Sequence, residues 1–384
     1  MKKHQLRVQE VFHFFENKDS VLGFRKLLDC AIDTQDMGIY KKAIELTDWK
    51  EKFPTYTEEL IEKSKILLQE ISAIPVQEYN NEQSVLRARN ILKSYGSKKF
   101  SLGPISLEIN KGQVYGLVGE NGNGKTTLLR ILAKEISHDE GELHFSFNQT
   151  PKNEYDLRTK LVYIPQRTAK WYGSLKDNLK FVLSNYGISA EENETRVLMM
   201  IARLGLWNYK HLKWSELSSG YKMRFELART LLRKPELLLL DEPLANLDVL
   251  AQQIILEDLK AIANSVNHPI ALILSSQQLY EVEKVSDKVI FLKNGQYKND
   301  EDLDSTNVDN HLIIEIDTDN SREDLLETFK DFKLENLNFN GGVYVAYFNQ
   351  ETDFSEVISA LGNAKIQITY LRNISNSTRR FFVH

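Results

Sequence analysis

The chain contains a single cysteine, Cys30, in 384 residues. One thiol cannot form an internal disulfide or a zinc site alone, so the composition fits a reducing cytosol, and Cys30 reads as a small core residue. Proline is scarce at 8 residues, while hydrophobic residues reach 42% and aromatic residues 10%. Together these exclude disordered, collagen-like and linker-type sequence. Neither sign of charge dominates: 49 Lys and Arg against 54 Asp and Glu leave a net charge of −5. That removes the broad basic footprint of a protein that coats nucleic acid or anionic lipid, and no nucleic-acid partner is expected. Long apolar runs are also missing. Runs such as Leu237 to Leu240 and Ile270 to Leu274 fall far short of the roughly 18 residues of a spanning helix, so no direct membrane span is expected. The opening MKKHQLRVQEVFHFF mixes polar with apolar residues and lacks the apolar centre of a signal peptide. A soluble, cytoplasmic protein is the expectation, with no internal repeat or low-complexity segment.

A length of 384 residues predicts two or three folding units. Between positions 24 and 74 there is one glycine and one proline, and Leu60, Ile61, Leu67, Leu68 and Ile71 recur at helical spacing. Residues 1–80 therefore read as an all-α module, with breaks at Gly38 and at Phe53-Pro54-Thr55 and an end at Ala73-Ile74-Pro75. The polar stretch Gln77 to Ser84 reads as a linker between two cores. From Val85 the texture changes to short β-type runs, Val85 to Asn90, Ile105 to Ile109 and Gln113 to Val118. Strand and helix signals then alternate to about residue 298, as in an α/β unit with parallel strands. The acidic stretch Asn299 to Asn310 closes that unit, and residues 310–384 read as a small α+β domain of pattern β-α-β-β-α-β.

The strongest local signal is GENGNGKT, Gly119 to Thr126, set between the apolar strand Val114 to Val118 and a helical LLRILAKEI. Strand, glycine loop and helix in that order form the context a phosphate-binding loop requires. Gly119, Gly122 and Gly124 allow the backbone to wrap closely, so that N–H groups and the helix start face phosphate oxygens. Asn121 and Thr127 lie within the same cradle. Lys125 can reach the β and γ phosphates, and the Thr126 hydroxyl can ligate Mg²⁺. ATP with Mg²⁺ is the expected cofactor pair. A second signal is ELLLLDEP, Glu236 to Pro243. Its four leucines make a buried parallel strand that ends in two carboxylates. Asp241 is placed to hold the metal through water, and Glu242 to orient or deprotonate the attacking water.

With these motifs in order, residues 85–298 resemble the nucleotide-binding domain of an ABC ATPase. The resemblance implies further roles. Tyr95, in KSYG, stands where the family stacks an aromatic on adenine, and Gln166, in VYIPQ, matches the glutamine that contacts metal and water. LSSGYKMRFELARTLL, Leu217 to Leu232, resembles the family signature, whose Ser218 and Gly220 would bind the γ-phosphate held by the opposite subunit. ANLD, Ala245 to Asp248, resembles the loop that crosses the dimer interface. Two departures stand out: Ser219 and Tyr221 replace a usual Gly and Gln, and the switch histidine falls at Gln277. An amide can donate and accept, but it cannot become cationic as imidazole can.

The resemblance implies a subunit that dimerises with a second ABC ATPase domain, identical or not. It would drive separate transmembrane subunits from the cytoplasmic face of the membrane. The segment RTAKWYGSLKDNL, with Trp171, Tyr172 and Leu175, resembles the groove that receives a membrane partner's helix. The tail ending LRNISNSTRRFF resembles that of exporter ATPases, so export is the expected direction. The alternative is an ATP-gated regulator or scaffold with slow hydrolysis whose amino-terminal helices bind a protein.

Overall fold

The computed structural model describes residues 2–79, 83–96, 100–277, 282–298, 311–340, 342–349 and 351–375. The acidic stretch 299–310 and the last residues of the tail, 376–384, lie outside them. Four helices open the chain: α1 (Lys3–Glu16), α2 (Ser20–Thr34), α3 (Met37–Lys52) and α4 (Thr57–Ala73). Asp19 caps α2 by accepting from the Leu22 N–H, and Asp36 caps α3 by accepting from the Ile39 N–H at 2.9 Å. Gly38 therefore lies inside the first turn of α3 rather than at a break, because the side-chain cap starts the helix two residues earlier.

Strands β1 (Ser84–Ser94) and β2 (Ser101–Asn110) pair antiparallel, and β3 (Val114–Val118) leads into the glycine loop and α5 (Lys125–Leu132). β4 (Glu140–Phe145) pairs with the other edge of β1, completing a three-stranded antiparallel sheet. After α6 (Glu154–Lys160) and β5 (Leu161–Ile164), a helical layer follows of α7 (Leu175–Ser184), α8 (Ala190–Arg203) and α9 (Ser219–Leu231). The chain returns to the sheet as β6 (Leu237–Leu240), α10 (Val249–Ala263), β7 (Ala271–Ser276), β8 (Lys288–Lys293) and β9 (Gln296–Lys298). The main sheet has the order β5-β6-β7-β3-β8-β9, parallel except for β9. Every residue of β3, β6 and β7 is buried, as continuous apolar runs covered on both faces require. The register places Leu240 beside Leu274 and Leu117 beside Ser275. The residues that follow β3 and β6 therefore emerge on either side of β7 at one end of the sheet, where ligands of parallel sheets bind.

The amino-terminal helices do not enclose a core of their own. Val8, Phe15, Leu28 and Leu68 belong to the same buried apolar cluster as Ile201, Leu227, Ile255 and Leu259. Polar contacts fasten the joint. Arg25 reaches Glu257 at 2.8 Å and Asp258 at 3.2 Å, and Arg203 pairs with Asp29 at 2.8 Å. Asp33, 1% exposed, accepts from Arg7, the Ser265 hydroxyl and the Val266 N–H. The expectation of two cores separated by a polar linker gives way here to one continuous core, because the apolar faces of α1–α4 are satisfied by α8, α9 and α10 as well as by one another.

The described part of the tail comprises β10 (Leu312–Thr318), α11 (Arg322–Thr328), β11 (Leu334–Asn340), β12 (Val343–Phe348), α12 (Phe354–Asn363) and β13 (Ile368–Asn373). The strands form one antiparallel sheet of order β11-β12-β10-β13, a ferredoxin-like arrangement. Both helices pack on it through Leu325, Phe329, Val357 and Leu361. Arg372 ties this unit to Glu283 at 2.8 Å.

Candidate active site

The site is built where β3, β6 and β7 end. After Val118 the loop turns through Gly122 and Gly124, both at positive φ (84° and 98°), and Gly124 starts α5. A side chain at Gly124 would meet the Phe100 ring at 2.7 Å, and one at Gly119 would meet the Leu292 carbonyl oxygen at 2.5 Å. Glycine is needed at both for close approach. Glu120, Asn121 and Gly122 form the exposed rim. Lys125, buried with 5% exposure, donates from Nζ to the Gly119 carbonyl at 2.6 Å and to that of Glu120 at 3.3 Å. Burial lowers its pKa, against the opposing pull of the Glu242 and Asp241 carboxylates. Thr127 follows in the first turn of α5, half-buried.

Next to this loop the Thr126 hydroxyl donates to Asp241 Oδ2 at 2.8 Å. Asp241 also accepts from the Ser275 hydroxyl through Oδ1 at 2.8 Å and from the Tyr163 hydroxyl through Oδ2 at 3.2 Å. Burial, and then the Asp241 charge, push the Tyr163 phenol well above its usual range, so it remains a donor. Tyr163 and Ser275 carry no local mark in the sequence. The strand register placing Ser275 level with Asp241 was the missing information. A hard cation fits the Thr126 and Asp241 oxygens, which meet at one point and are the donor type Mg²⁺ takes.

Glu242 sits at φ 46°, a region a non-glycine residue occupies only when its surroundings hold it there. Its N–H donates to the Ser275 hydroxyl at 2.8 Å. Its carboxylate accepts from Gln166 Nε2 at 2.8 Å and from Gln277 Nε2 at 2.9 and 3.0 Å, with Lys125 Nζ 3.7 Å away. The structure thus brings Gln166, Gln277, Glu242, Asp241, Lys125 and Thr126 together. Tyr95 lies at the side, half-exposed, its N–H donating to the Phe100 carbonyl while the Phe100 ring covers Gly124.

Ser218 and Gly220 are not part of this cluster. Ser218 caps α9, Gly220 is buried against Ala251, and among the described residues no hydrogen bond joins them to the glycine loop. Ser219 instead donates to the Asn246 carbonyl at 2.9 Å, fixing the start of α9 to the loop before α10. Tyr221 turns to Tyr209, with ring centroids 3.8 Å apart.

A separate groove lies beside the sheet, lined by Tyr155, Trp171, Phe181, Tyr186, Arg229 and Arg233. Trp171 donates to Glu226 at 2.7 Å and carries the Arg229 guanidinium over its ring. Tyr172 is 90% exposed, whereas Leu175 is buried core and contributes no groove surface, because it belongs to the inner face of α7.

A glycine loop wrapped around a buried lysine, with a threonine-aspartate pair at the ends of parallel strands, defines a P-loop nucleotide-binding protein. The ABC transporter domain family matches residues 102–245. The phosphonates import ATP-binding protein of Treponema denticola is 30% identical over 236 residues, covering 58% of this chain and 91% of that protein. The lantibiotic transport ATP-binding protein of Streptococcus pyogenes is 32% identical over 213 residues, 55% of this chain and 88% of that one. The chain belongs to the ATP-binding subunits of ABC transporters. In fold it resembles cbiO1 of Clostridium perfringens, described as part of the ABC transporter complex cbiONQ, with a TM-score of 0.52 at 24% identity. That match covers 59% of this chain and 92% of the other. Among the described residues no helix is long and apolar enough to cross a membrane.

Proposed function

We propose that the chain binds and hydrolyses MgATP as one half of an ATPase pair and drives separate membrane subunits of a transporter. One observation carries this reading. The glycine loop, Lys125, Thr126, Asp241 and Glu242 form one cluster, while Ser218, exposed, and Gly220, buried against Ala251, sit at the start of α9 outside it. A phosphate cradle and a signature on separate faces of one chain are complementary halves that a second ATPase domain completes. In this reading Lys125 and the loop N–H groups hold the phosphates, Thr126, Asp241 and Gln166 hold the cation, and Tyr95 packs on the base. Bound Mg²⁺ neutralises charge on the phosphates. Glu242 orients water and accepts its proton. Gln166 and Gln277 occupy the carboxylate oxygens that would do so, and each must turn aside first. Basal turnover is accordingly slow.

The groove with Tyr155, Phe181 and the neighbouring Tyr172, three large exposed aromatics, supports docking of a membrane subunit's helix. Export is read from the tail alone. The test is Glu242→Gln, which keeps the shape of the side chain and removes its basicity. We expect ATP binding to persist, hydrolysis to stop and an ATP-held dimer to accumulate in light scattering, with a polytopic membrane protein copurifying in mild detergent. A strict monomer under saturating ATP, with or without a partner ATPase, would refute the half-site reading. The second reading, a regulator with slow hydrolysis, is favoured by the four helices pinned to the ATPase unit. A soluble protein complex in place of a membrane one would select it.

A further inference from the structure

The two residues by which the signature departs from its family each tie the start of α9 to another segment. Ser219 donates to the Asn246 carbonyl at 2.9 Å, and Asn246 is itself held at φ 62° in the loop before α10. Tyr221 is half-buried and stacks on Tyr209, with ring centroids 3.8 Å apart and planes tilted by 32°. The family's usual glutamine has no ring to offer that contact. Among these tethered residues Ser218 caps the helix, and the Lys222 N–H donates to the Ser218 carbonyl at 2.9 Å.

Tyr209 closes a short helical turn, Trp207–Tyr209, in the connection from α8 to α9. That turn rests on the amino-terminal helix α3. Trp207 is buried in the same apolar cluster as Ile39, Ala43 and Leu46 of α3. The Asn208 amide donates to the Glu51 carboxylate at 2.6 Å. Lys52 first, and then the Trp207 indole, hold the Asp48 carboxylate below its usual pKa. The two stacked tyrosines therefore join three segments in series: α3, the Trp207–Tyr209 turn and the first turn of α9. These contacts include no residue of the glycine loop.

We propose that Tyr221 is a positioning residue for ATP hydrolysis: stacked on Tyr209, it lets the amino-terminal helices set the angle at which Ser218 and Gly220 meet the nucleotide of a second ATPase domain. This rests on the half-site reading given above. A group that acts across an interface loses much of its effect when displaced by about 1 Å. The Ser219 hydrogen bond alone leaves the helix start free to pivot about one contact, whereas a ring stacked on a ring fixes both distance and plane. The amino-terminal helices then contribute to turnover without touching ATP, and the residue unusual for the family is the one that links them to the signature.

The experiment uses the full chain and has two readouts. Hydrogen exchange of the ATP-free protein, followed by mass spectrometry, reads the first turn of α9 in peptides spanning residues 217–225. Tyr209→Ala should speed that exchange by about 2- to 10-fold, the worth of an aromatic pair, and leave peptides spanning residues 119–132 unchanged. The second readout is the dissociation constant of the ATP-held dimer in a Glu242→Gln background. Tyr209→Ala and Tyr221→Leu should each raise it by at least about twofold, whereas Tyr221→Phe, which keeps the ring, should stay close to the parent. ATP affinity of the monomer should not change in any of them. Asp48→Ala combined with Glu51→Ala, on α3, should move both readouts in the same direction and add nothing once Tyr209 is alanine. Unaltered exchange in Tyr209→Ala, additive effects of the α3 pair, or a Tyr221→Phe dimer as weak as that of Tyr221→Leu overturns the proposal and leaves the half-site reading standing. Should Tyr209→Ala lose ATP binding through misfolding, the exposed α3 pair decides alone, and unchanged exchange in residues 217–225 overturns the proposal. A Glu242→Gln chain that forms no ATP-held dimer, alone or with a partner ATPase, refutes the half-site reading and this proposal with it.

Discussion

Replacing Asp33 by alanine removes the acceptor that fastens α1 and α2 to the segment between α10 and β7. Four donors lose their partner: the Arg7 guanidinium at 2.8 Å, the Ser265 hydroxyl at 2.7 Å, the Val266 N–H at 3.2 Å and, more weakly, the Asn267 N–H at 3.5 Å. Breaking a fully buried ion pair from one side costs about 3–5 kcal/mol. Arg7 is 24% exposed and can regain water, which moves the figure toward the lower end. The buried Val266 N–H cannot, and an orphaned donor of that kind costs about 1–3 kcal/mol. The expected loss is therefore about 3 kcal/mol for Asp33→Ala, and about half of that for Asp33→Asn, which keeps an acceptor oxygen but no charge. Urea unfolding followed by tryptophan fluorescence reads this directly, because Trp49 on α3 and the buried Trp207 flank the same joint. With a slope of about 3 kcal/mol/M, the Asp33→Ala midpoint should fall by about 1 M. Hydrogen exchange should quicken first in α1 and α2. A midpoint within about 0.3 M of the wild type would show that the joint is held by apolar packing alone and that the charge network contributes nothing measurable.

Three further outcomes follow from the site and its surroundings. Lys125→Ala should weaken ATP binding by about 10- to 100-fold, the worth of a charged hydrogen bond to phosphate; equal affinity by equilibrium dialysis in a folded variant would sink the loop assignment. Wild-type turnover should lie below about 10 per second, and Gln277→His should raise it with little change in ATP affinity, since the interaction restored acts in the transition state. A phosphate-release assay in which Gln277→His is slower would show that the amide is the better group here. His268 is partly buried and donates from Nε2 to the Pro235 carbonyl at 2.9 Å, and desolvation lowers its pKa below the usual 6.5. The unfolded chain then binds a proton that the folded chain refuses, so stability is full above about pH 6.5 and declines as the pH falls toward the folded value. Urea midpoints measured at about pH 7.5 and about pH 5.5 should converge in His268→Gln; an unchanged slope would place the acid sensitivity elsewhere.

The parts of the site legible in the sequence are those where local backbone dictates residue type. Gly119 and Gly124 are required by close approach, and the four leucines before Asp241 by burial on both sheet faces, so both motifs announce themselves within ten residues of chain. Tyr163 and Ser275 carry no such mark. Each becomes a partner of Asp241 only through strand order and register, which a single sequence does not contain. The same limit applies to the amino-terminal helices. Their periodicity reveals an apolar face but not what covers it, and the polar stretch after Ala73 reads as a boundary although the core runs past it. Leu175 shows the converse error: proximity in sequence to Trp171 and Tyr172 suggested a shared surface, whereas helical phase turns it inward.

The single core also has a consequence for biosynthesis. Asp33 and its partner Ser265 are separated by 232 positions. At about 5–20 residues per second of translation, the first helices wait about 10–50 seconds before the residues that complete their packing exist. During that interval α1–α4 can cover one another only in part, and the faces destined for α8, α9 and α10 stay open to any other apolar chain. A nascent polypeptide of this design therefore depends on cotranslational protection for its amino terminus, and slowing elongation late in the message should lower the yield of folded protein without changing a residue.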